Sequence, residues 1–192
     1  MKTKGFESTE VKCTGIVGLL MDRFVDMSAD ERPPDQKLYL DGKNQLIFPS
    51  ENILSFLYGQ EGGCARRFEG KKWLEYSKQV MAYTSILPEF PTINRNGKAI
   101  KFNEFKNEFD EEAHIRVLHH KAILKKGKLS IPSPKARPMI EPPWEIEFEI
   151  TIADNSLISI EKIKNWFVRG GIEISFGTYR PRFGRFMVAF KD

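Results

Sequence analysis

The sequence predicts an α+β fold in which helices cover one face of an antiparallel sheet. From Trp144 to Ile152, large apolar residues alternate with glutamate or threonine, which is the two-residue period of a strand with one buried face. Ser159 then precedes apolar positions that share one side of a helix, and Gly170 with Gly171 is expected to end that helix. A largely apolar run over residues 10–21 predicts another buried strand near the start of the chain.

Length and composition indicate one globular domain, residues 1–192. The chain is long enough to bury a hydrophobic core, and 41% hydrophobic with 29% charged residues argues against global disorder. Thirty Lys and Arg residues against 26 Asp and Glu residues leave a net charge of +4. This mild excess is compatible with a nucleic-acid partner but does not require one.

Cysteine usage and the N-terminal sequence favour a cytoplasmic protein. Cys13 and Cys64 are isolated, with no histidine at metal-ligand spacing, so we expect no zinc site and no other metal or cofactor, while a disulfide stays open. The first residues contain no apolar signal core, and no apolar run is long enough to span a membrane. We therefore expect no membrane partner.

The first sixty residues predict a strand, a loop, a hairpin and a short helix. The strand over residues 10–21 is followed by a long polar loop, and residues 37–48 read as a hairpin that turns at Asp41 and Gly42. Ser50 is expected to start a helix that Gly59 closes.

The middle of the chain gives weaker signals. Residues 60–72 are rich in glycine and contain Arg66, Arg67 and Lys71, which suits a solvated loop or, less commonly, a loop that contacts phosphate. Residues 73–86 fit either a second helix or an extended segment. No choice between these two structures follows from the pattern.

Residues 114–131 predict a β-hairpin whose tip, near Lys125, is basic. Such a tip suits either a finger that grips RNA or an exposed turn. His119 and His120 are adjacent, so on a strand they face opposite sides and are expected to be structural. The five prolines within residues 132–143 exclude a helix and predict an extended connector.

The stretch Gly170–Phe190 predicts a strand, a basic loop and a second strand. By strand parity Phe176, Phe186, Val188 and Phe190 are expected in the core. The remaining loop residues combine guanidinium groups that bind phosphate with rings that stack on bases. These are Thr178, Tyr179, Arg180, Arg182, Phe183 and Arg185. A hairpin with merely solvated arginines would have the same composition.

The order of these elements predicts a ferredoxin-like (RRM-like) βαββαβ sheet with helices on one face and long insertions. The expected core covers about residues 8–60 and 143–192, with insertions at about residues 22–49 and 60–142. Such a sheet has a free face, which is a common platform for single-stranded RNA.

Three features of the chain are similar to those of the RAMP superfamily of CRISPR-associated proteins, in particular its guide-RNA-binding backbone subunits. They are an apolar strand that leads to the sequence SFGTYRPRFGRFMV, the sequence FPSENILSFLYG at the first core helix, and the order of the elements, including a long insertion. Together they cover about half of the chain. Residues 180–183 replace the Gly and Ser usual in the family, and the helix start lacks its Ser-Leu-Lys-Gly run, which also fits a diverged stand-alone or phage-borne homologue.

The resemblance implies a non-catalytic protein that binds single-stranded nucleic acid, RNA before DNA, and that self-associates or joins other CRISPR subunits. In this view the residues of the C-terminal loop hold the strand, with support from Arg66, Arg67, Lys71 and Lys125.

Two alternatives share the fold. One is a RAMP-type endoribonuclease, for which Asp22, Asp26 and His119 are the weak catalytic candidates, because family members that cleave RNA use a histidine or a loop aspartate. The other is a phage-borne mimic that blocks a CRISPR complex.

Overall fold

The computed structural model describes residues 5–23, 32–60, 62–126 and 129–191, with the backbone alone for residues 122–132. Asp26 and the Lys125 side chain lie outside the described part. The strands are β1 Phe6–Gly15, β2 Leu19–Leu20, β3 Thr84–Leu87, β4 Ile93–Arg95, β5 Lys98–Ala99, β6 Phe109–Asp110, β7 Ile115–Lys126, β8 Leu129–Ile140, β9 Glu145–Ala153 and β10 Phe186–Lys191. The α-helices are α1 Ser50–Tyr58, α2 Cys64–Phe68, α3 Trp73–Tyr83 and α4 Ile160–Glu173.

The core of the main sheet has the strand order of a ferredoxin-like fold. The sheet runs β10-β1-β9-β4-β5, and β3 also pairs with β9, so the four core strands lie in the order β10-β1-β9-β3. Every pairing is antiparallel. The four core strands in chain order are therefore β1, β3, β9 and β10, and β3 lies within the segment expected to be an insertion. The α+β prediction is confirmed.

The hydrophobic core lies between one face of this sheet and the helices. The predicted alternation in β9 is confirmed, because Ile146, Phe148, Ile150 and Ile152 are all buried. Phe167 of α4 contacts both Phe148 of β9, at 5.7 Å between ring centroids, and Phe56 of α1, at 5.2 Å. Both helices therefore cover the same face of the sheet.

The prediction for residues 170–176 was wrong. Helix α4 starts after Ser159 as expected, and the Ser159 side chain accepts a hydrogen bond from the Lys162 amide. It does not end at Gly170, however, but continues to Glu173, so there is no strand over residues 172–176. The two glycines serve packing instead of termination. A Cβ atom on Gly170 would lie 2.6 Å from the Phe56 ring, and one on Gly171 would lie 2.5 Å from the Phe186 carbonyl oxygen.

The burial predicted for the phenylalanines and the valine of this region is confirmed, although the predicted strand is not. Phe176 and Phe186 are both buried, and their rings stack with 4.3 Å between centroids. Val188 and Phe190 are partly buried and pack against the core. Burial was predicted correctly because it follows from the apolar composition, whereas the backbone conformation does not.

The segments before the second core strand are more helical than expected. Residues 64–68 form α2 inside the predicted loop, and residues 73–87 form a helix followed by a strand. The hairpin expected over residues 37–48 is reduced to a turn closed by a bridge between Leu40 and Leu46. Helix α1 begins at Ser50, with Pro49 rather than Ser50 at the capping position.

A second sheet, in the order β2-β8-β7-β6, contains the long hairpin. The hairpin is confirmed, but the expected connector at residues 132–143 was wrong, because β8 runs through it to Ile140. The Pro138 carbonyl accepts from the Met21 amide and so points away from β7. Pro132 and Pro134 lie an even number of residues from Pro138, so the backbone of all three prolines faces the same way. None of them needs an N–H group for pairing with β7, and β8 therefore tolerates them.

The two cysteines form no disulfide with each other. Cys13 and Cys64 are buried free thiols, and burial raises the pKa of each. No helix in the described ranges combines the length and the apolar character needed to cross a membrane.

Candidate nucleic-acid interface

Residues 175–185 form the segment that connects α4 to β10, and we call it the C-terminal loop. It is tied to the rest of the protein by backbone hydrogen bonds, from the Thr178 amide to Leu20 at 3.0 Å and from the Gly184 amide to Gly18 at 2.8 Å. Gly177 and Gly184 have positive φ angles of 74° and 72°. A Cβ atom on Gly184 would lie 2.0 Å from the Phe176 carbonyl oxygen, so this close approach requires glycine.

Arg180, in the C-terminal loop, lines two cavities. One has a volume of about 680 Å³ and is lined by Arg66, Arg67, Glu173 and Arg180 among other residues; we call it the arginine cavity. The other has a volume of about 110 Å³ and includes Asp22 in its wall; we call it the Asp22 pocket. Arg180 contributes to the wall of both.

The arginine cavity brings together residues that are far apart in the sequence. Arg66 and Arg67 lie on α2, which packs against α4, and Arg180 lies just beyond α4. Arg66 lies over the Trp73 ring at 4.6 Å, while the Arg67 Nε donates to Glu173 at 3.4 Å. Three guanidinium groups and one carboxylate therefore line the same cavity, which leaves an excess of positive charge suited to an anion.

Arg180 carries the least compensated of these charges. Its side chain is exposed overall, yet the packing around it removes enough water to lower the pKa of its guanidinium below the ordinary arginine value. It forms no salt bridge within the described residues. An incoming phosphate would supply the missing counter-ion.

The other predicted residues of the C-terminal loop divide by role. Tyr179 is 41% exposed, and its ring centroid lies 6.0 Å from that of Phe183. The Arg182 guanidinium lies 5.8 Å from the Phe183 ring. The Arg185 Nε instead donates to the Pro181 carbonyl at 2.9 Å, so Arg185 braces the loop. Lys71 lies in an exposed 3₁₀ turn and does not line either cavity.

A polar cluster that the sequence did not reveal joins the long hairpin to this loop. The Arg137 side chain of β8 contacts the Asp22 Oδ2 and the His120 Nε2, each at 2.5 Å. The His120 ring in turn lies 4.9 Å from the Tyr179 ring. Burial lowers the pKa of His120, and the Arg137 charge lowers it further. Arg137 was missed because the proline-rich segment that contains it was treated as a connector.

The catalytic candidates are not brought together. Asp22 is paired with Arg137, whereas His119 is exposed and pairs with Glu108 at 2.8 Å. His119 and His120 face opposite sides of β7, as expected, so His119 points away from Asp22. Among the residues that the structure describes, no three His, Cys, Asp or Glu side chains cluster in a way that could hold a metal.

The free face of the main sheet does not have the charge of an RNA platform. Glu10, Glu145, Glu147 and Glu149 alternate with the buried residues and thus point to this face. Lys12 lies between Glu145 and Glu147, with Nζ 3.1 and 3.0 Å from their carboxylates. Lys191 also lies on this face, with its Nζ 3.7 Å from the Glu10 carboxylate. Four carboxylates against two ammonium groups leave an acidic excess that disfavours phosphate, so the expectation that this face serves as the platform is not supported.

Fold and site together define a ferredoxin-like α+β protein with an arginine-lined cavity on the helical side of the sheet. No family model matches the sequence, and no curated protein matches it. Among 70 matching chains of solved structures is one from a cryo-EM structure of the Type III-B Cmr-beta bound to cognate target RNA.

The alignment with that chain has a TM-score of 0.52 and a sequence identity of 11%. It covers 97% of this protein and 60% of the other chain. At this identity the likeness establishes a shared fold and no more.

Proposed function

We propose that this protein binds single-stranded RNA through the arginine cavity and the C-terminal loop, and that it does not cleave the strand. The observation that carries the proposal is the convergence of Arg66, Arg67 and Arg180 on one cavity that contains a single carboxylate. Guanidinium groups bind phosphate oxygens through paired, charge-assisted hydrogen bonds. Such a cavity is suited to a phosphate of the nucleic-acid backbone.

The C-terminal loop extends this surface. Thr178 offers a hydroxyl group, Arg182 offers a further cation, and Tyr179 with Phe183 offers rings beside these charges. A cationic groove next to aromatic side chains is the usual arrangement for binding single strands, because the backbone follows the charges while bases stack on the rings.

The choice of RNA and of a CRISPR setting rests on two independent supports. The sequence resembles RAMP backbone subunits in its C-terminal loop and first core helix, and the fold resembles a chain of Cmr-beta, a particle solved with target RNA. We propose accordingly that the protein is a RAMP-like subunit that works in the cytoplasm and that associates with copies of itself or with other CRISPR-type subunits. Asp22 is held by Arg137, which favours binding over cleavage.

The proposal can be tested by fluorescence anisotropy with a labelled single-stranded RNA of about 30 nucleotides. The site variant combines Arg66→Ala, Arg67→Ala and Arg180→Ala. The control variant combines Lys78→Ala, Lys98→Ala and Lys101→Ala, which removes the same net charge from exposed positions elsewhere. We expect affinity to fall by about tenfold or more for the site variant and by less than about threefold for the control.

Equal losses in the two variants would mean that binding is only a response to net charge. An unchanged affinity in the site variant would place the interface elsewhere. Release of shorter fragments from the labelled strand by the purified protein would contradict the non-catalytic part of the proposal.

A further inference from the structure

The Asp22 pocket shares Arg180 with the arginine cavity, and apart from Arg180 and Thr178 its lining residues take no part in the proposed interface. Its volume is about 110 Å³. Because Arg180 lines both spaces, a phosphate bound at this side chain would lie next to the pocket. The group attached to that phosphate in a nucleic acid is a sugar that carries a base.

The pocket has the chemical character of a site for a flat, polar ring. Phe48 and Phe176, whose rings are 5.1 Å apart, form its apolar inner part. Asn52 and Ser55 of α1 and Thr178 of the C-terminal loop supply half-buried amide and hydroxyl groups to its wall. Small-molecule sites combine an apolar lining with a few fixed polar groups in this way.

Asp22 supplies the strongest indication of the missing ligand group. Its Oδ2 is engaged by Arg137, but its buried Oδ1 has no hydrogen-bond partner. A buried carboxylate oxygen without a donor is unfavourable. A group that enters the pocket and displaces the side chains around Asp22 could supply this donor.

We propose that the Asp22 pocket holds one base of the bound strand, with the amino-bearing edge of that base directed towards Asp22. This inference rests on the proposed function, since it assigns a place to one base of the same RNA. Cytosine presents an amino group where uracil presents a carbonyl oxygen, and a carboxylate accepts from the former but repels the latter. The pocket therefore prefers cytosine to uracil.

The test compares oligo(rC) with oligo(rU), each of about 12 nucleotides, by fluorescence anisotropy on the full chain. We expect oligo(rC) to bind about tenfold more tightly. In Asp22→Asn, the side-chain oxygen can stay with Arg137 while the amide NH₂ group takes the place of Oδ1. That position then donates instead of accepting, so the preference for oligo(rC) should vanish or reverse.

A second pair of variants keeps the test decisive if Asp22→Asn does not fold, which circular dichroism would show. Asn52→Leu fills the pocket from α1, whereas Glu51→Leu places the same side chain at the exposed neighbouring position. We expect Asn52→Leu to bring the two affinities within about twofold of each other, and Glu51→Leu to keep the preference.

The outcomes separate this inference from the function on which it rests. Equal affinities of the natural chain for the two strands would overturn the base pocket and leave RNA binding intact. A preference for oligo(rC) that persists in both Asp22→Asn and Asn52→Leu would overturn it as well. Binding of neither strand would overturn both the pocket and the proposed function.

Discussion

The ring of Tyr179 lies against the ring of His120, with 4.9 Å between their centroids. One ring belongs to the C-terminal loop and the other to the long hairpin, so this contact joins the candidate interface to the second sheet. Arg137 extends the connection to Asp22 at the end of β2. These side-chain contacts add to the pairing of β2 with β8 and to the hydrogen bond from the Met21 amide to the Pro138 carbonyl, which also attach the hairpin to the rest of the protein.

This cluster should make stability depend on pH. Burial and Arg137 lower the pKa of His120, and Asp22 and Lys37 are the other charged groups that act on it. Between the ordinary pKa of about 6.5 and the lower folded value, the unfolded chain binds more protons, so stability falls as pH decreases through this window. We expect His120→Gln, which keeps an acceptor for Arg137, to lose this part of the pH dependence.

Urea unfolding at about pH 7 and about pH 5.5 measures the difference. His119→Gln is the matched control, because His119 is exposed and lies outside the cluster. The free energy of unfolding of this variant should change with pH as that of the natural chain does. An identical slope in His120→Gln and the natural chain would show that His120 does not couple protonation to folding.

Gly171→Ala should destabilise the protein by about 1–3 kcal/mol. The added methyl group would lie 2.5 Å from the Phe186 carbonyl oxygen and 3.0 Å from its ring, which forces α4 away from β10. Gly42→Ala is the control, since nothing lies within 4 Å of the position that its Cβ would take; its free energy of unfolding should change by less than about 0.5 kcal/mol. Comparable effects in the two variants would contradict the packing role of Gly171.

Trp144→Phe should cost about 2–4 kcal/mol. Trp144 is fully buried, and its Nε1–H donates to the Val17 carbonyl at 2.9 Å, so the change leaves both a cavity and a carbonyl without its donor. Trp73→Phe is the comparison at a half-buried site and should cost less than about 1 kcal/mol. Thermal unfolding of both variants measures the two losses of stability. A loss in Trp144→Phe no larger than that in Trp73→Phe would contradict the prediction and would mean that the Val17 carbonyl finds another donor.

Arg182→Ala and Arg185→Ala should have different effects. Among the described residues the Arg182 side chain has no hydrogen bond or salt bridge and lies 5.8 Å from the Phe183 ring. Its loss should therefore weaken RNA binding and reduce the salt dependence by about 0.7 in the log–log slope, with little change in stability. Arg185 donates within its own loop, so its loss should lower stability by about 1 kcal/mol. Anisotropy at several salt concentrations measures RNA binding, and thermal unfolding measures stability. If Arg182→Ala lowered stability and Arg185→Ala weakened binding, Arg185 would be the RNA contact and Arg182 the residue that holds the loop.

Much of the fold could be predicted because burial follows from local composition. The alternation in β9 and the apolar side of α4 each require one buried face, and both were predicted correctly. Gly170 and Gly171 were misread because glycine serves two purposes, the end of a helix and the close approach of two elements. Only the neighbours, Phe56 and the Phe186 carbonyl, decide between them.

The candidate site was predicted less completely. The sequence indicated Arg66, Arg67 and Arg180 separately, but their convergence depends on the packing of α2 against α4. The role of Arg137 could not be predicted, because the prolines around it argue against a strand. They are tolerated in β8 because none of them lies where an N–H group is needed for pairing with β7. Long-range placement of polar side chains has no periodic signal in a single sequence.

The acidic face of the main sheet and the arginine cavity lie on opposite sides of the protein, because the glutamates point away from the helices that carry Arg66 and Arg67. This separation of charge would favour the approach of a polyanion from the side that carries the arginine cavity. The effect reaches only about a Debye length, so the rate of association should fall as the salt concentration rises.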